Sequence, residues 1–113
     1  MESILDSVKK KCGIESDYDQ FDDGDLIDHI NSVFSDLNQL GVGPVDGFVI
    51  SDSSESWDDY LVEDANKLQS VKTYMFLRIK LIFDPPTTAA VLESYQKQID
   101  KFEWRLNVAA EST

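Results

Sequence analysis

Between residues 66 and 83, Leu68, Val71, Met75, Ile79 and Ile82 recur at intervals of three or four, and Asp84-Pro85-Pro86 ends the series. That period places all five on one face of an α-helix. Tyr74, Leu77, Leu81 and Phe83 add apolar residues on other faces. A helix that is apolar around most of its circumference must be surrounded by protein, so this segment is expected to be the centre of a core. The stop after it is steric. The residue before a proline avoids the α region, and proline has no N–H to donate.

The rest of the chain punctuates itself in the same way. Ser3 is placed to cap a first helix over residues 3–12, with Ile4, Leu5 and Val8 as its apolar stripe, Lys9, Lys10 and Lys11 in its last turn and Gly13 at its end. Residues 15–25 are polar and acidic and read as a linker, with Tyr18 and Phe21 as anchors. Leu26, Ile30, Val33, Leu37 and Leu40, widened by Ile27 and Phe34, predict a second helix over 24–40. Gly41 suits the left-handed residue after its end, and Gly43-Pro44 prevents continuation. Residues 41–56 read as loop, in which Phe48-Val49-Ile50 is β-prone. Ser56 before Trp57-Asp58-Asp59 is a helix-start signature, predicting a short helix over 57–62. Leu92, Tyr95, Ile99, Phe102 and Leu106 predict a last helix from within 86–88 to about 108, with Val91 and Trp104 off its stripe. The tail from Ala109 to Thr113 has no apolar anchor.

These readings sum to an all-α fold. It is a small bundle of four to five helices with a long central helix, a long C-terminal helix and at most one short β segment near 47–51. A length of 113 residues suits a single domain over 1–113. The apolar fraction of 42%, with two Trp, four Tyr and six Phe, is enough for one core. The most apolar stretch, Tyr74 to Phe83, is interrupted by Arg78 and Lys80 and is too short to span a bilayer, so no membrane partner is expected. No secretory signal is read, because Lys9–Lys11 lead into Cys-Gly-Ile-Glu rather than an apolar run. The lone Cys12 has no partner for a disulfide within the chain and suits a reducing cytosol as a small buried residue.

Charge is distributed very unevenly. The net charge is −12, yet residues 15–64 hold fifteen Asp or Glu and no Lys or Arg. Residues 65–113 hold seven basic and five acidic residues. Such a block repels phosphates over a Debye length of about 8–10 Å at physiological salt. Sequence-specific DNA binding is thereby disfavoured, since its affinity comes largely from neutralising phosphates.

The residues supply no catalytic constellation. One histidine, His29, and one cysteine fall short of the four ligands of a zinc site. No serine sits in a Gly-x-Ser-x-Gly elbow, and no Gly-x-x-x-x-Gly-Lys loop is present. The acidic run from Asp17 to Asp25 fails as a calcium loop in both registers, because Phe21 falls on a ligand position. The expectation is a non-enzymatic chain without cofactor, metal or catalytic residues. Asp17, Asp19, Asp22, Asp23 and Asp25 then read as a solvated acidic surface that repels DNA. Phe48, Val49 and Ile50, whose one β-prone run could pair with a neighbour, form a candidate partner interface together with Trp57, Tyr60 and Trp104. The last three are either the edge of the core or interface anchors, a role in which Trp and Tyr are enriched.

Several runs together carry a resemblance. They are Ile4-Leu5-Asp6-Ser7-Val8-Lys9-Lys10 with Gly13-Ile14, His29-Ile30-Asn31-Ser32-Val33-Phe34, Gly41-Val42-Gly43-Pro44 with Gly47-Phe48, Trp57-Asp58-Asp59-Tyr60, Val71-Lys72-Thr73-Tyr74, Leu81-Ile82-Phe83-Asp84-Pro85-Pro86 and Glu103-Trp104-Arg105-Leu106-Asn107. Over nearly its whole length the chain resembles the head–tail connector, or head-completion, proteins of siphophages and prophages of Gram-positive bacteria. The resemblance implies a structural subunit, made in the host cytoplasm and placed at the virion head–tail interface. It implies a homo-oligomeric ring below the portal, often matching the portal's twelve-fold symmetry. Further implied partners are head-closure (stopper) or tail proteins, with DNA passing through the ring. The contrasting expectation, drawn from the acidic block, is a protein-binding module such as a DNA-mimic inhibitor.

Overall fold

In a computed structural model the described residues are 3–13, 23–61, 65–83 and 85–111. Five helices follow in order: α1 (Ile4–Lys11), α2 (Asp23–Gln39), α3 (Trp57–Tyr60), α4 (Ala65–Phe83) and α5 (Ala89–Glu111). The fold is all-α, as the periodicity predicts. The Phe48-Val49-Ile50 run forms no strand. The one β-type pairing among the described residues is an isolated antiparallel bridge between Ser3 and Ser56.

Each helix starts and stops for a local reason. Ser3 accepts a hydrogen bond from the Asp6 N–H at 3.3 Å, capping α1, whose three lysines complement the dipole in its last turn. At the end of α2, Gly41 has φ of 85°. Its N–H donates to the Asn38 carbonyl, and the Val42 N–H donates to the Leu37 carbonyl, both at 3.0 Å. This is a Schellman closure, with Val42 and Leu37 both buried as its apolar contact. The Asp59 carboxylate reaches back to the Ser56 N–H at 2.9 Å, stabilising the single turn of α3. Thr88 accepts from the Val91 and Leu92 N–H groups at the start of α5.

α4 is the central element, packing against α1, α2 and α5. Its Val71, Tyr74, Met75 and Ile79 are wholly buried. They meet Leu26, Ile30, Val33, Phe34 and Leu37 from α2, and Ile4, Leu5 and Val8 from α1. α5 closes the far side with Ile99 and Leu106. Two residues of the predicted stripes depart from this burial. Ile82 is 46% exposed and Leu92 is 37% exposed. Both lie toward the turn joining α4 to α5. Cys12 is buried, and His29 is half-buried with its ring edge-on to Phe83 at 5.3 Å.

Candidate assembly surfaces

The candidate interface residues separate into an internal set and an external set. Trp57 and Tyr60 stand three residues apart on α3, so they share a face, while Asp58 and Asp59 take the other. Trp57 is 2% exposed and its indole N–H donates to the Ser7 hydroxyl at 2.8 Å. That hydroxyl in turn donates to the Ile4 carbonyl at 2.9 Å, so α3 is tied to α1 through a buried chain of hydrogen bonds. The Ile4 N–H donates to the Glu55 carbonyl at 3.0 Å and strengthens the same seam. Tyr60 is 4% exposed, with its ring 4.7 Å from that of Phe34 and 5.2 Å from that of Phe48. Burial holds its hydroxyl neutral to well above the ordinary tyrosine value of 10.0. In the chain by itself, Trp57 and Tyr60 therefore present no surface to a partner.

Tyr60 also explains Gly43. That glycine has φ of 90°, and a Cβ there would lie 2.6 Å from the Tyr60 ring. Only glycine satisfies both the left-handed backbone and the close approach.

Phe48 is half-buried against Phe34, and Ile50 is buried. The Asn31 side chain pairs with the Ile50 backbone in both directions. Its amide donates to the Ile50 carbonyl at 3.0 Å, and its carbonyl accepts from the Ile50 N–H at 2.8 Å. A carboxamide on α2 thus takes the place of a neighbouring strand and holds residues 48–50 extended without a sheet. Nothing in the spacing of Asn31 and Ile50 signals this pairing in advance.

The external set is Val49 and Trp104, both 68% exposed, and beside Val49 stands Val45, which the sequence did not single out and which is 94% exposed. Val45 and Val49 flank Asp46 on the loop beside α2. Trp104 stands on the outer face of α5 with exposed Lys97, Lys101, Arg105 and Val108. Of the acidic candidates, Asp17, Asp19 and Asp22 lie outside the described residues, Asp23 begins α2, and Asp25 is exposed on its first turn.

A polar network that the sequence did not single out fixes α5 in place. Arg78 on α4 donates to Asp36 on α2 at 2.8 Å and to the Tyr74 hydroxyl at 2.6 Å. The Tyr74 hydroxyl donates to the Glu103 carboxylate at 2.7 Å. One chain of charge-assisted bonds therefore joins three helices around a wholly buried tyrosine. The available signal is an arginine inside an otherwise apolar helix, which needs an acidic partner. The Asn107 amide also donates to the Leu40 carbonyl at 3.3 Å, anchoring the C-terminal half of α5 to the end of α2.

Among the described residues no three His, Cys, Asp or Glu side chains converge on one point, and no helix is long and apolar enough to cross a membrane. What the fold offers is a helical body whose exposed apolar residues, among those described, fall at Val45 and Val49, at Trp104 and Val108, and at Ile82, Val91 and Leu92. No curated protein and no solved structure is significantly similar to the chain. The family model of phage connector proteins matches residues 4–113, every described helix included, and the chain therefore belongs to the phage connector protein family, a family of structural proteins.

Proposed function

We propose that the protein is a head–tail connector subunit that forms a closed ring below the portal, linking capsid to tail at the virion's head–tail interface while DNA passes through. Its partners on this reading are further copies of itself, the portal protein above and head-closure or tail proteins below. One observation carries the reading beyond family membership. Trp104 is 68% exposed on a helix that a partly buried hydrogen-bond network ties to α4. Tryptophan is enriched among the residues that carry protein–protein contacts, and Val108 extends the exposed apolar surface beside it, which supports a contact site here.

A ring demands a head-to-tail contact, in which each subunit offers two different surfaces. Two apolar patches, on the 45–49 loop and on outer α5, meet that demand. The net charge of −12 supports passage rather than capture of DNA, because like charges leave the duplex free to slide. Asp25, exposed on α2, and the acids at 17, 19, 22 and 23 are the residues proposed to supply that repulsion.

The test is removal of the gene product from an infection or induction. Filled heads and separate tails that fail to join are the expected products. Normal yields of joined, infectious particles would overturn the proposal. Capture of host nucleases or transcription factors in place of virion proteins would favour the inhibitor reading.

A further inference from the structure

We infer that the outer stripe of α5, centred on Trp104 with Lys101 and Arg105 beside it, docks onto the Val45–Val49 loop of a second copy of this chain. The inference rests on the ring reading above and names the two surfaces through which copies meet.

Both surfaces are uncovered and apolar at the centre. Trp104 and Val108 lie on one, at 68% and 42% exposure, and Val45 and Val49 on the other, at 94% and 68%. Their charges are opposite. Lys97, Lys101 and Arg105 follow one another at intervals of four along α5 and so form one row. Lys101 and Arg105 make no ion pair or hydrogen bond among the described residues. The loop carries exposed Asp46 and is followed by Asp52, within a stretch from 15 to 64 that has no lysine or arginine. Opposite charge disfavours either patch meeting its own copy, and a one-way pairing of the two patches is heterologous, the type that closes a ring.

Between α2 and the loop lies an open depression lined by Asn31, Phe34, Asn38, Asp46, Phe48 and Val49. Phe48 is half-buried there and rests on the buried ring of Phe34, with ring centres 5.1 Å apart. An indole entering there meets the Phe48 ring, and Asp46 on the rim meets the flanking cations. Neither surface must be ordered on docking. Asn31 pins Ile50, the Gly47 N–H closes a turn onto the Pro44 carbonyl at 2.9 Å, and Glu103 and Asn107 pin α5. Pre-formed surfaces lose little entropy on association. A nucleic-acid partner fits less well. Lys97 is already paired with Glu93 at 3.3 Å, and three cations face the repulsion of a chain with net charge −12.

Assembly of the full chain, alone at rising concentration and on isolated portal, is read by light scattering. Trp104→Ala and Asp46→Lys should each raise the concentration for half-assembly at least about tenfold, the scale of a central aromatic or paired charge. Their melting temperatures should match wild type. Asp46→Lys combined with Lys101→Asp and Arg105→Asp should restore assembly. Wild-type rings formed equally well by both single variants would overturn this contact and leave the ring reading standing. A wild type that never self-associates, alone or on portal, would overturn both. Failure of the charge swap to restore assembly would overturn the pairing of these two surfaces. Unchanged assembly with lost retention of a double-stranded DNA fragment would reassign the α5 stripe to nucleic acid.

Discussion

α2 and α5 are both long helices whose apolar residues recur every three or four positions, yet they are covered very differently. α2 has α4 beneath it and the 42–50 loop and α3 around it, and Leu26, Ile30, Val33, Phe34 and Leu37 are all wholly buried. α5 packs on α4 and touches the end of α2 through Asn107, while its outer face, with Lys97, Lys101, Trp104, Arg105 and Val108, is exposed. Only Ile99 and Leu106 of its stripe are buried, and Leu92 is 37% exposed. The period of a stripe tells which face turns inward. How much of the face is covered depends on the neighbours, and for α5 the missing cover is the reason to expect other subunits.

The largest effect should come from the covered helix. Phe34→Ala removes a ring that touches Phe48, Trp57 and Tyr60, and a loss of about 3–5 kcal/mol is expected in denaturant unfolding. A loss below about 1 kcal/mol would mean that α2 is no better covered than α5. Next comes Gly43→Ala, where left-handed strain and collision with Tyr60 together should cost about 2–4 kcal/mol.

Alkaline pH probes the dryness of the same side. Burial raises the pKa of Tyr60 above its unfolded value of 10.0. The neutral hydroxyl therefore contributes its full stability below pH 10, and that contribution falls as pH rises further, by about 1.4 kcal/mol per unit while the folded state stays protonated. The Tyr60→Phe variant should show a shallower loss above pH 10. Parallel curves would show that the Tyr60 site admits water. The smallest effect belongs to α5. Leu92→Ala should cost about 1 kcal/mol or less in the isolated chain. A cost like that of Phe34→Ala would mean that the first half of α5 is covered within one subunit.

Much of this contrast was legible in the residues, and the part that was not has a physical reason. Helix spans follow from spacing and from local stops such as Gly41 and Pro85-Pro86, because these act within a few residues. The all-α fold and the connector family follow from patterns running along the whole chain. The burial of Trp57 and Tyr60 is less visible. Acidic neighbours make α3 look exposed, and only the three-residue spacing hints that both rings point one way. The Arg78–Asp36 and Tyr74–Glu103 bonds and the Asn31 clamp join residues 19 to 42 positions apart, and no local rule reaches across such gaps. For the surfaces, the residues identify the aromatic and charged side chains, and the structure separates Val49 and Trp104 from Ile50, Trp57 and Tyr60.

The two tryptophans make the central claim directly measurable. Trp57 is 2% exposed and Trp104 is 68% exposed, so acrylamide should quench about half of the fluorescence of the isolated chain, the share of one of two tryptophans. On assembly with portal the account predicts that Trp104 becomes protected and the quenchable fraction falls sharply, with a blue shift in emission. An assembled ring in which Trp104 stays as quenchable as in the free chain would contradict it.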